Sequence, residues 1–364
     1  MTVCRFTGMA VLAAAGALAV AACGSDDKSS SGSASSGGSG GGQKTAAKDQ
    51  RACVIMPDTD SSSRWPNGDT PALQKQFPEA GFKVTIQNAE NDTSKYATIA
   101  QQQLAGGCTI MVLVDLNGAG IQVTQQAHSQ GIPVIAYDRP IKGADYYISF
   151  DNFHVGELEG QMVVDGLKAA GKDPATAKVV YSGGDPTDGN AAQFMGGADK
   201  VMKAAGIKPA FKTPGTWDQT KAQTAFEQGF TALKGKVDAV WAANDTNAAS
   251  AIQVLDKNSM KVPVSGQDAT PPGLQNVLLG KQYATVYKPF QLEAAATVDL
   301  AKKLAAGDKP QIDKKAADGT PFIAEDPVVV NADNMQKVFD DGNAKVSDVC
   351  TAAVKAACDK AGIQ

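Results

Sequence analysis

Histidine is scarce in this 364-residue chain: His128 and His154 are the only two, and neither stands near a cysteine cluster. That leaves little material for a zinc site. It also makes a Ser-His dyad hard to build, and no Gly-x-Ser-x-Gly elbow is visible, so the sequence predicts neither metal nor cofactor and no enzyme. Long basic runs are missing as well. Lys+Arg number 34 against Asp+Glu 38, a net charge of −4, which argues against a nucleic-acid partner because phosphates need a basic face. No Gly-x-Gly-x-x-Gly follows the first predicted strand, and no glycine-rich loop concentrates Lys or Arg, so dinucleotides and phosphates are poor ligand candidates. Aromatics reach only 6%, which makes the position of each of the three Trp informative. What remains is ordinary for a folded protein, with 43% hydrophobic and 20% charged residues. The chain beyond residue 50 is too long for one usual core and suits two of about 150 residues each.

The N-terminus has its own composition. Arg5 precedes an apolar Ala/Val/Leu stretch that ends in small residues at Cys23, the layout of a secretory signal. The stretch is too short and too weakly apolar for a good membrane-spanning helix, which needs about 20 apolar residues. Val20-Ala21-Ala22-Cys23 resembles the bacterial lipoprotein cleavage motif, which implies a signal peptide over 1–22 and lipidation of Cys23. Stable acyl anchoring would hold the protein on the outer face of the cell membrane. Residues 24–43 are mostly Ser, Gly, Ala, Asp and Lys, and the span 23–50 reads as a flexible tether.

From residue 52 short apolar runs alternate with helical stretches. The expected strands are Cys53–Pro57, Val84–Asn88, Ile110–Leu116, Val134–Asp138 and Tyr147–Asp151, with helices such as Thr93–Leu104 and Ile121–Ser129 between them. A second series follows at Val179–Ser182, Ala210–Lys212, Ala239–Ala243, Val262–Gly266 and Ala284–Tyr287. Such alternation predicts an α/β fold of two doubly wound parallel-sheet lobes. Export leaves four cysteines in an oxidising compartment. Cys53 and Cys108 open the first and third strands, neighbours in a 2-1-3 order, and strands about 4.8 Å apart can carry a disulfide. Cys350 and Cys358 can pair only if the helix between them breaks, since eight helical residues span about 12 Å.

Ligands of open parallel sheets bind beyond the carboxyl ends of the strands, and unusual residues collect there. The ends carry Arg64-Trp65, Asp115-Leu116-Asn117, Asp138-Arg139, Asp188-Gly189-Asn190, Trp217-Asp218, Asn244-Asp245, Gln267-Asp268 and Tyr287-Lys288. Asp188, Asn190 and Asp245 taken singly read as helix caps. Arg and Trp are not capping residues, so their presence shifts the reading toward a site. Trp65 and Trp217 stand at strand ends in opposite lobes, whereas Trp241 lies inside a strand and reads as core. Carboxylates, amides and guanidinium groups around two indoles suit an uncharged, hydroxyl-bearing ring.

Arg64-Trp65, Ala136-Tyr137-Asp138-Arg139, Phe150-Asp151-Asn152-Phe153-His154-Val155-Gly156, Ser265-Gly266-Gln267-Asp268-Ala269 and Thr285-Val286-Tyr287-Lys288-Pro289 occur in order between residues 52 and 340. Together they resemble the D-xylose-binding and multiple-sugar branch of the periplasmic sugar-binding proteins. The resemblance implies a type I binding-protein clamp with a three-crossover hinge, including Asp151-Asn152 and Lys288-Pro289. It divides the chain into an N-terminal lobe of 51–150 plus 289–320 and a C-terminal lobe of 151–288 plus 321–364. It further implies a monomer that hands an aldose to the permease of an ABC importer, with D-xylose first and D-glucose or D-galactose as further candidates. The alternative is a co-receptor that presents sugar to a chemotaxis or two-component partner. Carried over residue by residue, sugar contacts fall on Arg64, Asp138, Arg139, Asn190, Asn244, Asp268 and Lys288, with Trp65 and Trp217 stacking on the ring.

Overall fold

The computed structural model describes residues 49–363. The expected signal peptide 1–22, Cys23 and all but the end of the tether lie outside the described residues. The eleven described strands are β1 (Arg51–Met56), β2 (Lys83–Asn88), β3 (Ile110–Leu113), β4 (Val134–Tyr137), β5 (Tyr146–Phe150), β6 (Val179–Ser182), β7 (Pro209–Lys212), β8 (Ala239–Ala242), β9 (Thr285–Tyr287), β10 (Phe322–Glu325) and β11 (Val328–Val330).

The first half is built on a six-stranded sheet in the order β2-β1-β3-β4-β5-β10, parallel throughout. β3, β4 and β5 are buried along their whole length, as short apolar strands covered on both faces must be. One face packs against α1 (Thr70–Glu79), and Tyr96 and Val123 of α2 (Thr93–Ala105) and α3 (Ala119–Ser129) pack into the other. Cys53 in β1 and Cys108, just before β3, are joined by a disulfide with Cα atoms 5.9 Å apart.

The chain leaves this sheet at Asp151 and enters α4 (Asn152–Ala169), which packs on α5 (Gly189–Ala204) of the second half. Their close approach requires glycine. A Cβ on Gly156 would stand 2.1 Å from the Phe194 carbonyl oxygen, and one on Gly197 would stand 2.0 Å from that of Phe153. The second half has a parallel core sheet, β7-β6-β8, flanked by α6 (Gln219–Ala232) and α7 (Asp245–Lys257). The strand expected at Val262–Gly266 is reduced to one parallel bridge, Val240 with Val264. Pro263, beside that bridge, has no N–H to give a ladder. Past α8 (Pro271–Leu278), a second bridge, Gln267 with Val286, connects to β9.

The chain returns to the first half at Lys288-Pro289 and forms α9 (Phe290–Ala305), whose Phe290, Ala294 and Val298 enter the same core as α1. The lobe boundary expected after residue 320 moves. Phe322–Glu325 pairs in parallel with β5 at the edge of the first sheet, and the Phe322 ring stacks on Tyr147 with centroids 4.5 Å apart. The third crossing is therefore Asp326-Pro327, after which β11 pairs antiparallel with β9. The end of the described chain carries α10 (Gln336–Asp340), α11 (Val346–Val349) and α12 (Lys355–Ala361). The helix breaks between α11 and α12, and that break brings Cys350 and Cys358 to a Cα separation of 5.9 Å, where they form a second disulfide.

Candidate functional site

All nine side chains singled out from the sequence line one cavity of about 30 Å3 between the halves: Arg64, Trp65, Asp138, Arg139, Asn190, Trp217, Asn244, Asp268 and Lys288. Those from the first half stand at the carboxyl ends of β1 and β4. Those from the second follow β6, β7, β8 and β9 or the Gln267 bridge. Asp138 occupies the left-handed region at φ +58°, and its carbonyl oxygen accepts from Tyr147 Oη at 2.8 Å and from Ser149 Oγ at 2.8 Å. Asp and Asn are the residues that tolerate this backbone best after glycine.

Arg64 is held more firmly than a side chain that only touches ligand. Its Nη2 lies 2.7 Å from Asp69 and 2.7 Å from Glu293, its Nε 2.9 Å from Asp69, and its Nη1 3.1 Å from Asp138. Tyr137 Oη donates to Asp69 at 2.5 Å. Burial by itself would lower the guanidinium pKa, but Asp69, Glu293 and Asp138 together raise it well above its ordinary value. Burial pushes the Glu293 carboxyl well above the usual carboxylate range despite Arg64. One fork of Arg64 thus anchors the floor, and Nη1 faces the carboxylate that lines the cavity.

The opposite wall holds a second buried pair, Lys288 with Asp268 at 3.0 Å. Burial pulls the Asp268 carboxyl upward, yet Lys288 and then Arg64 hold it below its ordinary value. Lys288 Nζ also lies 5.7 Å from the centroid of the Phe194 ring. Ser62 Oγ of the first half donates to Asp268 at 3.1 Å, one of several contacts that join the halves.

Capping and site roles coincide in several residues. Asp188 caps α5 by accepting from Asn190 N at 2.9 Å, while its other oxygen takes Trp217 Nε1 at 3.1 Å and faces Arg139 Nε at 3.0 Å. Burial raises the Asp188 carboxyl even so. The capping reading of Asn190 and Asp245 is corrected. The N-cap of α7 is Asn244, accepting from Asn247 N at 2.8 Å, and Asn190 lies inside α5. Asp245 is a buried structural carboxylate that accepts from Gln282, Thr285 and Thr270.

The two indoles expected to stack on a ring are engaged already. Trp65 Nε1 donates to Ser61 Oγ at 2.9 Å, and the guanidinium carbons of Arg64 and Arg139 lie 5.2 and 5.6 Å from its ring centroid. Trp217 packs so closely on Gly184 that a Cβ there would come within 2.0 Å of the ring. Trp241 is wholly buried and donates to Glu159 at 3.0 Å. Ser61, Ser62, Asp188, Phe194 and Gln267 also line the cavity. Each lies within four residues of a residue singled out from the sequence. Asp69 and Glu293 are different, because a helix-face carboxylate carries no pattern that would single it out before the fold is formed.

Residues 53–309 match the periplasmic binding protein domain. The chain belongs to that family. Among similar family members is the D-xylose-binding periplasmic protein of Escherichia coli, 33% identical over 79% of this chain and 88% of that protein. A multiple sugar-binding periplasmic protein of Azospirillum brasilense is 34% identical over 80% of this chain and 88% of that one. An ABC transporter solute-binding protein of Clostridium phytofermentans, solved with bound β-D-glucose, superposes with a TM-score of 0.74 at 28% identity, covering 82% of this chain and all of that one. The two parallel-sheet halves and their three crossings are thus the fold of type I periplasmic binding proteins.

Proposed function

We propose that this protein is an extracytoplasmic lipoprotein that closes on a neutral aldose and delivers it to the permease of an ABC importer. The observation that carries the reading is the convergence of nine side chains from both halves on one buried cavity. Fixed donors and acceptors alternate around it: Arg64 and Asp138, Arg139 and Asp188, Lys288 and Asp268. Such pairs match vicinal hydroxyls, each of which donates and accepts. Side chains of the two halves touch one another directly, so a sugar must enter while they are parted and would hold them together by touching both. Asp151, Lys288-Pro289 and Asp326-Pro327 are the hinge segments in this reading. The D-xylose-binding relative makes D-xylose the first ligand to try, with D-glucose and D-galactose next. Cys23 is the proposed lipid attachment site, and the acyl anchor would keep a monomeric clamp beside its permease.

Binding, not turnover, is the expected activity. The two imidazoles lie on the surface beside Asp145 and Glu157 and do not line the cavity. Thermal unfolding of the full chain with D-xylose, D-glucose, D-galactose, L-arabinose and D-ribose tests the ligand class. A ligand at 100 times its dissociation constant adds about 2.7 kcal/mol to native stability, a visible rise in midpoint. No rise with any of the five would overturn the aldose reading. Membrane fractionation of wild type and Cys23→Ser tests the anchor, which predicts release of the variant.

A further inference from the structure

Beyond the inner cavity lies a larger one, about 560 Å3, between the same two halves. The two cavities share four wall residues, Ser61, Arg139, Asp188 and Trp217. These form a chain across the halves: Arg139 Nη2 donates to Ser61 Oγ at 3.2 Å, Arg139 Nε faces Asp188 at 3.0 Å, and Trp217 Nε1 donates to the same carboxylate at 3.1 Å. The outer cavity is roofed by a second cross-half contact, Thr187 Oγ1 to Asn117 Oδ1 at 2.8 Å. Its size falls in the range of about 300–1,000 Å3 that suits small-molecule sites; the inner one, about 30 Å3 with the halves in contact, takes a ring only when they stand further apart.

The outer walls have a consistent chemistry. Thr59, Asn117, Thr187, Thr220 and Thr246 are among the residues that line it. Besides Asp245, whose carboxylate is turned inward to Gln282 and Thr285, six Asp line it against two cations, Arg139 and Lys221. Several of these carboxylates are fixed by main-chain N–H groups, Asp58 by Asp60 and Ser61, and Asp115 by Gly118 and Gly120. Fixed acceptors of one sign favour ligands rich in O–H donors and repel anions.

We propose that the outer cavity is a second saccharide subsite, so that the clamp takes a neutral disaccharide with one ring in the inner cavity and the other outside the Ser61-Arg139-Asp188-Trp217 chain. This rests on the inner cavity being an aldose site. A second ring carrying a carboxylate is excluded by the Asp-lined wall, and a neutral one is accepted by the Thr and Asn side chains. Trp217 borders both cavities, its indole held by Gly184 and Asp188.

The test is calorimetric titration of the full chain with D-xylose and D-glucose, with xylobiose, cellobiose and maltose, and with an aldobiouronic acid. Thr220→Trp and Thr246→Trp each place an indole in the outer cavity without touching the inner one. The expected result is binding of at least one neutral disaccharide no more than tenfold weaker than its monosaccharide. Either Trp variant lowers disaccharide affinity at least tenfold and leaves the monosaccharide within twofold, and the aldobiouronic acid gives no heat. Retained monosaccharide binding also certifies that the variant is folded. If monosaccharides bind and no disaccharide does, the outer subsite is overturned and the aldose reading stands. The outer subsite is likewise overturned if disaccharides bind both Trp variants as tightly as wild type. If no sugar of either size binds, the aldose reading fails and this inference fails with it.

Discussion

Asn190, on α5 of the second half, donates through Nδ2 to the main-chain oxygen of Asp138, at the end of β4 in the first, at 2.9 Å. The same amide lies 3.3 Å from the Asp138 carboxylate, and Tyr147 Oη reaches Asn190 Oδ1 at 3.2 Å. Both partners line the inner cavity, so this contact joins the halves where a ligand would bridge them. Asn190→Ala removes it while Tyr147 and Ser149 still satisfy the Asp138 carbonyl. We expect a loss of about 1 kcal/mol in unfolding free energy and at least a tenfold loss of sugar affinity by calorimetry. Unchanged affinity would remove Asn190 from the site.

Arg64 pairs at once with Asp69 and Glu293, both wholly shielded from solvent. Breaking a buried ion pair from one side leaves an uncompensated charge and costs about 3–5 kcal/mol. Arg64→Met should lose that much in urea unfolding, and Arg64→Lys should recover only part, because an ammonium cannot fork to two carboxylates. A loss under about 1 kcal/mol in Arg64→Met would mean that the carboxyl groups left behind do not persist as uncompensated buried charges.

Asp245 gives a pH dependence with a definite sign. Burial pushes its carboxyl from 3.8 up to about 7, although Gln282, Thr270 and Thr285 donate to it. A carboxyl whose folded pKa exceeds the unfolded one holds its proton more tightly in the native state. Stability from this residue is therefore greatest below pH about 4, falls as pH rises toward about 7, and is flat above, with a slope of at most about 1.4 kcal/mol per pH unit. Unfolding free energies of wild type minus Asp245→Asn should trace that fall between about pH 4 and 7. A flat difference would show that the surrounding donors keep Asp245 ionised throughout.

The disulfides close loops of very different length. Cys53 and Cys108 are 55 residues apart and Cys350 and Cys358 eight. On chain entropy alone the first contributes about 4 kcal/mol and the second about 2.5. Double Ser variants of each pair, compared by chemical unfolding, should fall in that order. Cys350→Ser/Cys358→Ser should leave sugar binding intact, since neither residue lines the inner cavity.

Much of this arrangement was legible along the chain. Strand periodicity placed β1 to β5 and β6 to β8 within a few residues; β3, β4, β5, β6 and β8 are buried throughout, and a short run covered on both faces must be apolar whatever surrounds it. Strand carboxyl ends could be marked as the place of a site, and Arg and Trp there have no capping use; the choice of the nine residues among them came from the resemblance to the sugar-binding family. The break between α11 and α12 was not legible, and neither was the edge strand Phe322–Glu325, whose partner Tyr146–Phe150 lies more than 170 residues earlier. Val262–Gly266 reads as a strand locally and forms only a bridge, since ladder pairing depends on what lies beside Pro263.

The sequence by itself determined the alternation of strand and helix, and with it the residues available at each strand end. Only the tertiary structure decided what those residues do. It turned Arg64 into the hub of Asp69, Asp138 and Glu293, made Asp188 a cap and a cross-half ion pair at once, and sent Asp245 inward to Gln282 and Thr285. The physical reason is range. Periodicity and capping are set by neighbours a few residues away, whereas the partners of a buried carboxylate come largely from other elements, 37 residues away for Gln282 and Asp245 and 229 for Arg64 and Glu293.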